Sequence, residues 1–270
     1  MRAWLFLVAA LLPSRGMALL HLPNEIKTVI VNIGSNLDPL LPPEGDPTVA
    51  AIAFEPIVSC NISHHPRLYV VPAAVSSEDG MALMNVAHQN GVSSSLYEPT
   101  KKVHAMLSAN TGVAETEKIV PMVAMTTFLN SIPERIDILH IKTDMQGHDY
   151  SALSSAGALL RRAHYLETEV YFRGVETYKG AKNDFCRDTF PFMRSIGFEV
   201  IGVYNRHKYS DSLHKSNLKH GIATDAASAD AFCKRETLKG ALSVSLYEGN
   251  AYWKRNDTTL QPPQALRRDI

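Results

Sequence analysis

The hydrophobic positions fall into short runs separated by proline, glycine and small polar residues, which is how alternating strands and helices are punctuated. TVIVNIGSN (28–36) opens on β-branched residues and ends at Gly-Ser-Asn, predicting a buried strand and a tight turn. LDPLLPPEGDP (37–47) carries four prolines, which delay any helix. VAAIAFEP (49–56) reads as a second strand ending at Glu55, and RLYVVPAAVSS (67–77) as a third, closed by Glu78-Asp79-Gly80. MALMNVA (81–87) has the look of an edge strand, and residues 89–117 form a polar loop or lid. KIVPMVAMTTFL (118–129) predicts a short strand, then a helix toward Ser131 capped by Thr126 or Thr127. RIDILHIKTD (135–144) is a central strand, GHDYSALSSAGALLRR (147–162) an amphipathic helix and HYLETEVYF (164–172) the next strand. DTFPFMRSIGFEVIGVYN (188–205) reads as helix, glycine, strand, and ALSVSLYEGNAYWKR (241–255) as a last strand or hairpin. Residues 206–231 are polar and give no clear element, and the tail from Leu260 is expected to be extended.

This alternation predicts an α/β chain built on a mostly parallel sheet. In such sheets ligands sit beyond the carboxyl ends of the strands, where strand order reverses. Three predicted strand ends carry candidate chemistry. Gly34 allows a sharp turn and a close backbone approach. Glu55 follows 21 positions later, a spacing that suits a carboxylate accepting from both hydroxyls of a ribose. Asp144 ends the central strand. Neither GxGxxG nor GxxxxGK[ST] is present, so a nucleoside fits better than a dinucleotide, and S-adenosylmethionine (SAM) is one such ligand.

The charge balance narrows the partners. With 27 basic and 27 acidic side chains the formal net charge is zero, so no global field favours nucleic acid or anionic lipid. The amino terminus, MRAWLFLVAALLPSRGMA, has an early arginine, ten apolar residues from Ala3 to Leu12 and a small-x-small ending. This is the order of a secretory signal, predicting removal of residues 1–18, one domain over 19–270 and a secreted or endomembrane-lumen location. Ten apolar residues are too few to span a bilayer, and no later run is long enough, so no stable membrane insertion is expected. The sequons at Asn61 and Asn256 suit a glycoprotein. Three cysteines leave at least one without an intramolecular partner; Cys186 and Cys233 can pair in an oxidising compartment. No Cys/His cluster has zinc spacing.

VNIGSN, AFEP, AAVSSEDG, SSSL, IDILHIKTDMQGHDYSAL and LETEVYF, taken in order, resemble the FkbM-type methyltransferases, a class I SAM-dependent family. The resemblance covers about residues 28–205, with an echo at GNAYWKR. Its most specific stretch is a hydrophobic strand followed by Lys142, Asp144, Gln146, Gly147, Asp149 and Leu153. The resemblance implies a Rossmann-like class I fold with helices on both faces of the sheet. It also implies SAM as cofactor, with Gly34 and Asn36 at the first turn, Glu55 on the ribose and Ala74, Val75 and Ser76 near the adenine. Asp144 would face the methionine end or the acceptor. Two positions depart from the family pattern: Asn32 stands where an acid usually precedes the turn, and Leu37-Asp38-Pro39 replaces a second turn glycine. Asp38 is the candidate substitute for the missing acid.

The activity so implied is methyl transfer to a hydroxyl of a small molecule or glycan, with Asp144 or His148 taking the proton. Glu167 and Glu169 are reserve candidates, of which at most one is expected to reach the pocket. Lys142 is expected to pack its stem and carry its amine outward, and Tyr69, Tyr171, Phe172 and Tyr204 to belong to the core. Two readings compete: a methyltransferase-like binding domain that has lost catalysis, and a nucleotide-dependent oxidoreductase.

Overall fold

The computed structural model describes residues 20–58, 63–87, 93–101, 116–172, 176–205, 221–238 and 248–262. Strands β1 (Thr28–Ile33), β2 (Val49–Phe54) and β3 (Leu68–Val71) step outward in sequence order. β4 (Ala74–Ser76), β5 (Gly80–Val86) and β6 (Thr116–Ala124) form a separate three-stranded sheet in the order β4-β6-β5. Helix α1 (Met125–Ser131) leads into β7 (Asp137–Thr143), and α2 (Asp149–Ala156) leads toward β8 (Ala163–Tyr171). Then come α3 (Phe190–Ser195), β9 (Phe198–Asn205), β10 (Gly221–Ala223), α4 (Ala226–Leu238) and β11 (Glu248–Arg255).

The main sheet has eight strands in the order β10-β9-β11-β8-β7-β1-β2-β3. β1 pairs in parallel with β2 on one side and with β7 on the other. Chain order therefore reverses between β1 and β7, and the two adjacent strand ends open a crevice there. β2–β3 and β7–β8 are also parallel, whereas β11 is antiparallel to both β8 and β9. The result is a mixed α/β fold with a large, mostly parallel sheet.

Pairing register gives the two sheet faces opposite characters. Ile52, Val31, Ile141, Leu166, Trp253 and Val200 lie side by side across six strands on one face. All six are buried, and they join a core to which α1 adds Phe128 and Leu129, α2 Leu153, α3 Met193 and α4 Phe232. The next row, on the other face, reads Ala53, Asn32, Lys142, Glu167, Tyr252 and Gly202; each is one residue from its apolar neighbour except Gly202, which lies two beyond Val200 because the register shifts there.

Helices on both faces are not what the described residues show. All four described helices feed the core on the apolar face. Described loop segments reach the polar face: the Asn32 carboxamide accepts from Leu40 N at 3.0 Å, and the Tyr165 hydroxyl donates to Leu260 O at 2.7 Å. The prolines at 39, 42, 43 and 47 explain why no helix follows β1, since each removes a donor and fixes φ.

Other expectations need local correction. The run 67–77 is two strands in two sheets, split at Pro72, where Ala73 N turns back to Val71 O at 2.9 Å. Neither Thr126 nor Thr127 caps α1; Ala124 occupies that position without a side-chain cap. Asp79 does related work from a distance, accepting from Ala124 N and from Thr127 Oγ1. The helix predicted over 147–162 stops at Ala156, because Gly157 adopts φ 53° and the chain tightens into a 3-10 turn through Arg162. Helix α4 begins within the stretch 206–231, whose sequence gave no clear element, and runs on to Leu238. A disulfide joins its Cys233 to Cys186, with Cα atoms 5.3 Å apart. The leader, the Asn61 sequon, Cys60 and much of the predicted lid lie outside the described residues.

Candidate active site

The turn after β1 is tied to both neighbouring strands. Gly34 N and Ser35 N donate to Phe54 O at 3.0 and 3.2 Å, and Asp144 N donates to Ile33 O at 3.0 Å. Gly34 adopts φ 73°, and a Cβ built on it would collide with the carbonyl of Asp144. Two loops thus cross at a contact that only glycine permits.

Glu55 braces the same turn. Its Oε2 accepts from Asn36 N at 2.7 Å and its Oε1 from Ile57 N at 2.8 Å. Burial raises its pKa while these two N–H groups oppose the rise. Each carboxylate oxygen still has a lone pair for a ligand hydroxyl.

These groups wall a cavity of about 530 Å³ at the point where strand order reverses. Gly34, Asn36, Asp38, Glu55, Ala74, Val75, Asp144 and His148 all line it. Ser76 does not; its hydroxyl lies 3.0 Å from Nε2 of His148. The lining also includes residues to which the sequence assigned no role: Ser35, Met84 and Glu248, and Ser93, Ser94 and Leu96 of the quoted SSSL stretch. Met84, on β5 of the smaller sheet, and Glu248, on β11 next to β8, reach the cavity only through the tertiary arrangement. Ser35, inside the quoted turn, was legible in principle; its buried hydroxyl has no partner among the described residues. Lys142 also lines the cavity, on β7, which is central as its sequence predicted.

Backbone conformation marks the same place. Among the described residues, the non-glycine positions with positive φ are Asn36 (48°), Ser93 (67°) and Gln146 (52°). All three line the cavity. Such conformations persist where the surrounding structure over-determines them, and they cluster at ligand sites.

The two candidate proton acceptors differ in setting. Gln146 Nε2 donates to Asp144 Oδ1 at 2.8 Å. His148 is 8% exposed, and burial lowers its pKa to about 4, so its ring is neutral at pH 7. Its Nδ1 has no hydrogen-bond partner among the described residues, and its ring packs 4.9 Å from that of Tyr97. Asp149 is fully buried and accepts from Met145 N, holding the strand-to-helix turn. Burial and the nearby Asp144 charge raise its pKa.

Glu167 and Glu169 are both buried, at 5% and 1% exposure, and neither lines the cavity. They are two positions apart and therefore share a strand face. Asn250 Nδ2 donates to Glu167 Oε1 at 2.7 Å. His140 Nε2 lies 4.0 Å from Glu167 Oε2, but burial, with Lys142 adding to it, lowers the histidine pKa to about 3. The neutral ring and the long separation make this a contact rather than an ion pair. Among the described residues no group of three or more His, Cys, Asp or Glu side chains has the arrangement of a metal site.

The family model for the methyltransferase FkbM domain matches residues 32–200, which run from the end of β1 into β9. The chain belongs to the FkbM methyltransferase family. No curated protein and no solved structure matches it. The matched span contains Gly34, Glu55, Asp144 and His148, and the cavity is therefore the candidate active site of an FkbM methyltransferase domain. Glu248 lies beyond the match, on a strand returned to the site by sheet pairing.

Proposed function

We propose that this FkbM protein is a SAM-dependent O-methyltransferase of Rossmann-like class I architecture, acting on a small hydroxylated molecule or a glycan. The observation that carries the reading is the Gly34 turn seated on the Asp144 backbone, with the Glu55 carboxylate pinned beside it. A crossing that only glycine permits holds the two strand-end loops together at the crevice, and a braced carboxylate beside it suits a ribose diol. The unpartnered Ser35 hydroxyl and the neighbouring Asp38 fit a polar, zwitterionic ligand.

SAM, when bound, supplies a sulfonium methyl open to in-line displacement. The chain's own work is to hold and orient. Gly34, Ser35 and Asn36 form the cradle, Glu55 takes the ribose, and Ala74 and Val75 line the adenine side. Asp38 offers the counter-charge that Asn32 cannot. Asp144 orients the acceptor hydroxyl and takes its proton at a carboxylate oxygen. Burial lowers the His148 pKa to about 4, so its ring is a poorer base than an ordinary imidazole. Its bond to Ser76 supports a role in shaping the adenine side.

The Cys186–Cys233 disulfide and the leader-like amino terminus support a secreted or endomembrane-lumen protein with one domain over 19–270. Asn32 favours a second reading, a methyltransferase-like domain that binds without catalysis, because the usual acid has become an amide engaged with Leu40 N.

Calorimetry with SAM and S-adenosylhomocysteine tests both readings. Heat with neither ligand removes the first and leaves the second without its expected nucleoside. Incubation with methyl-labelled SAM and an extract of the protein's own source separates them, since only the enzyme yields a labelled product. Asp144→Asn is expected to cut turnover by more than about tenfold with little change in SAM affinity. Turnover equal to the parent's removes Asp144 from the chemistry.

A further inference from the structure

The turn after β7 is locked by residues that are neither acid nor base. Gln146 donates from Nε2 to Asp144 Oδ1 at 2.8 Å, which fixes the orientation of its amide. The amide oxygen then faces the other way and lies 3.0 Å from the Tyr178 hydroxyl. That hydroxyl is also 3.0 Å from Ser93 O, and Tyr178 is 1% exposed. With one proton and two acceptors, it holds both at once by sharing.

The two residues it joins, Gln146 and Ser93, both have positive φ and both line the cavity. Further ties fix the 93–101 segment around this point. Ser95 Oγ donates to Gln146 O at 2.8 Å, Thr100 N donates to Thr177 O at 3.0 Å, and Lys179 N donates to Glu98 O at 2.8 Å. A stretch far away in sequence therefore forms cavity wall and is fastened to the acid-bearing turn at two points, directly through Ser95 and through the buried Tyr178.

We propose that Gln146 is a positioning residue that sets the Asp144 carboxylate and, through Tyr178, ties it to the 93–101 wall. The inference rests on the methyltransferase reading for its kinetic part only. A backbone conformation disfavoured in isolation is kept where several contacts over-determine it, and here those contacts lead to the acid. Tyr178 touches no candidate reacting atom, and its effect passes through Gln146.

The test uses the full chain with three variants, Tyr178→Phe, Gln146→Met and Gln146→Glu. Hydrogen exchange is read without ligand. Tyr178→Phe is expected to raise exchange about tenfold at Ser94–Thr100 and at Gln146–Gly147 together. Gln146→Glu retains an acceptor for Tyr178 and is expected to leave both stretches as in the parent. Kinetics with labelled SAM are expected to show turnover about tenfold lower in Gln146→Met and Gln146→Glu, with SAM affinity within about twofold of the parent's. The double variant Tyr178→Phe/Gln146→Met is expected to be no slower than Gln146→Met, because the two residues act as one chain.

Exchange that rises at 94–100 and not at 146–147 overturns the tie. Parental turnover in Gln146→Glu, or additive losses in the double variant, overturns the positioning role. If Tyr178→Phe does not fold, Gln146→Met carries the exchange test, with the same rise expected at 94–100. A parent that transfers no methyl group refutes the enzyme reading and leaves the exchange result to decide the tie.

Discussion

The two faces of the main sheet are one residue apart along β1, β7, β8 and β11 and are chemically opposed. Val31, Ile141, Leu166 and Trp253 face the helices, whereas their chain neighbours Asn32, Lys142, Glu167 and Tyr252 face loops and, at Asn32 and Lys142, the cavity. The apolar face is where burial stabilises the fold. The polar face and the strand ends above it keep groups whose burial is costly unless a bond or ligand compensates. Stability and chemistry are thus separated by the two-residue period of the strand.

Breaking the apolar face gives the largest expected effect. Trp253 is fully buried, and Trp253→Ala is expected to cost about 3–5 kcal/mol in denaturant unfolding. A loss below about 1 kcal/mol shows that this row does not carry the core. Gly34→Ala probes the crossing of the two loops. The left-handed conformation alone costs about 1–2 kcal/mol, and the methyl group must also displace the Asp144 backbone. SAM binding is expected to fall below detection in calorimetry while most of the fold persists; parental affinity removes the cradle from the site.

Glu55→Gln is a finer probe. The amide can accept with only one end, so SAM affinity is expected to fall by about 1–3 kcal/mol, roughly 5- to 150-fold. An unchanged dissociation constant refutes the ribose assignment. The smallest and most diagnostic change is His140→Gln, on the polar face outside the cavity. His140 has its folded pKa lowered to about 3 from 6.5, so between these values the unfolded state binds the extra proton. Its contribution makes stability rise with pH through that window and fade as the solution is acidified below about 6.5. His140→Gln is expected to flatten the acid slope by up to about 1.4 kcal/mol per pH unit and to leave SAM affinity unchanged. An unaltered slope means the ring is not held neutral. The raised values of Glu55 and Asp149 act with the opposite sign, so the comparison must be parent against variant at each pH.

Elements with a strong local signature were readable before the fold. β1, β2, β7 and β8 match their predicted runs within about two residues because uninterrupted β-branched and apolar stretches have few alternatives. The split at Pro72 and the early end of α2 were marked by proline and glycine, yet which sheet each piece joins depends on partners far away. Helix α4 gave little signal because its apolar positions are sparse, and its burial comes from Phe232 and the Cys233 bridge. The reserve acids Glu167 and Glu169 read as site candidates, but the sheet carries both away from the cavity.

The sequence by itself determined the strand runs, the prolines that exclude a helix after β1, and the residue types at three strand ends. Those are local properties, set by side-chain shape and backbone freedom. Only tertiary structure decided that Gly34, Glu55 and Asp144 meet, that Glu248 returns to them, and that Tyr178 reaches Gln146 and Ser93. Such encounters follow from strand order and register, which depend on long-range pairing and which no short window of residues encodes.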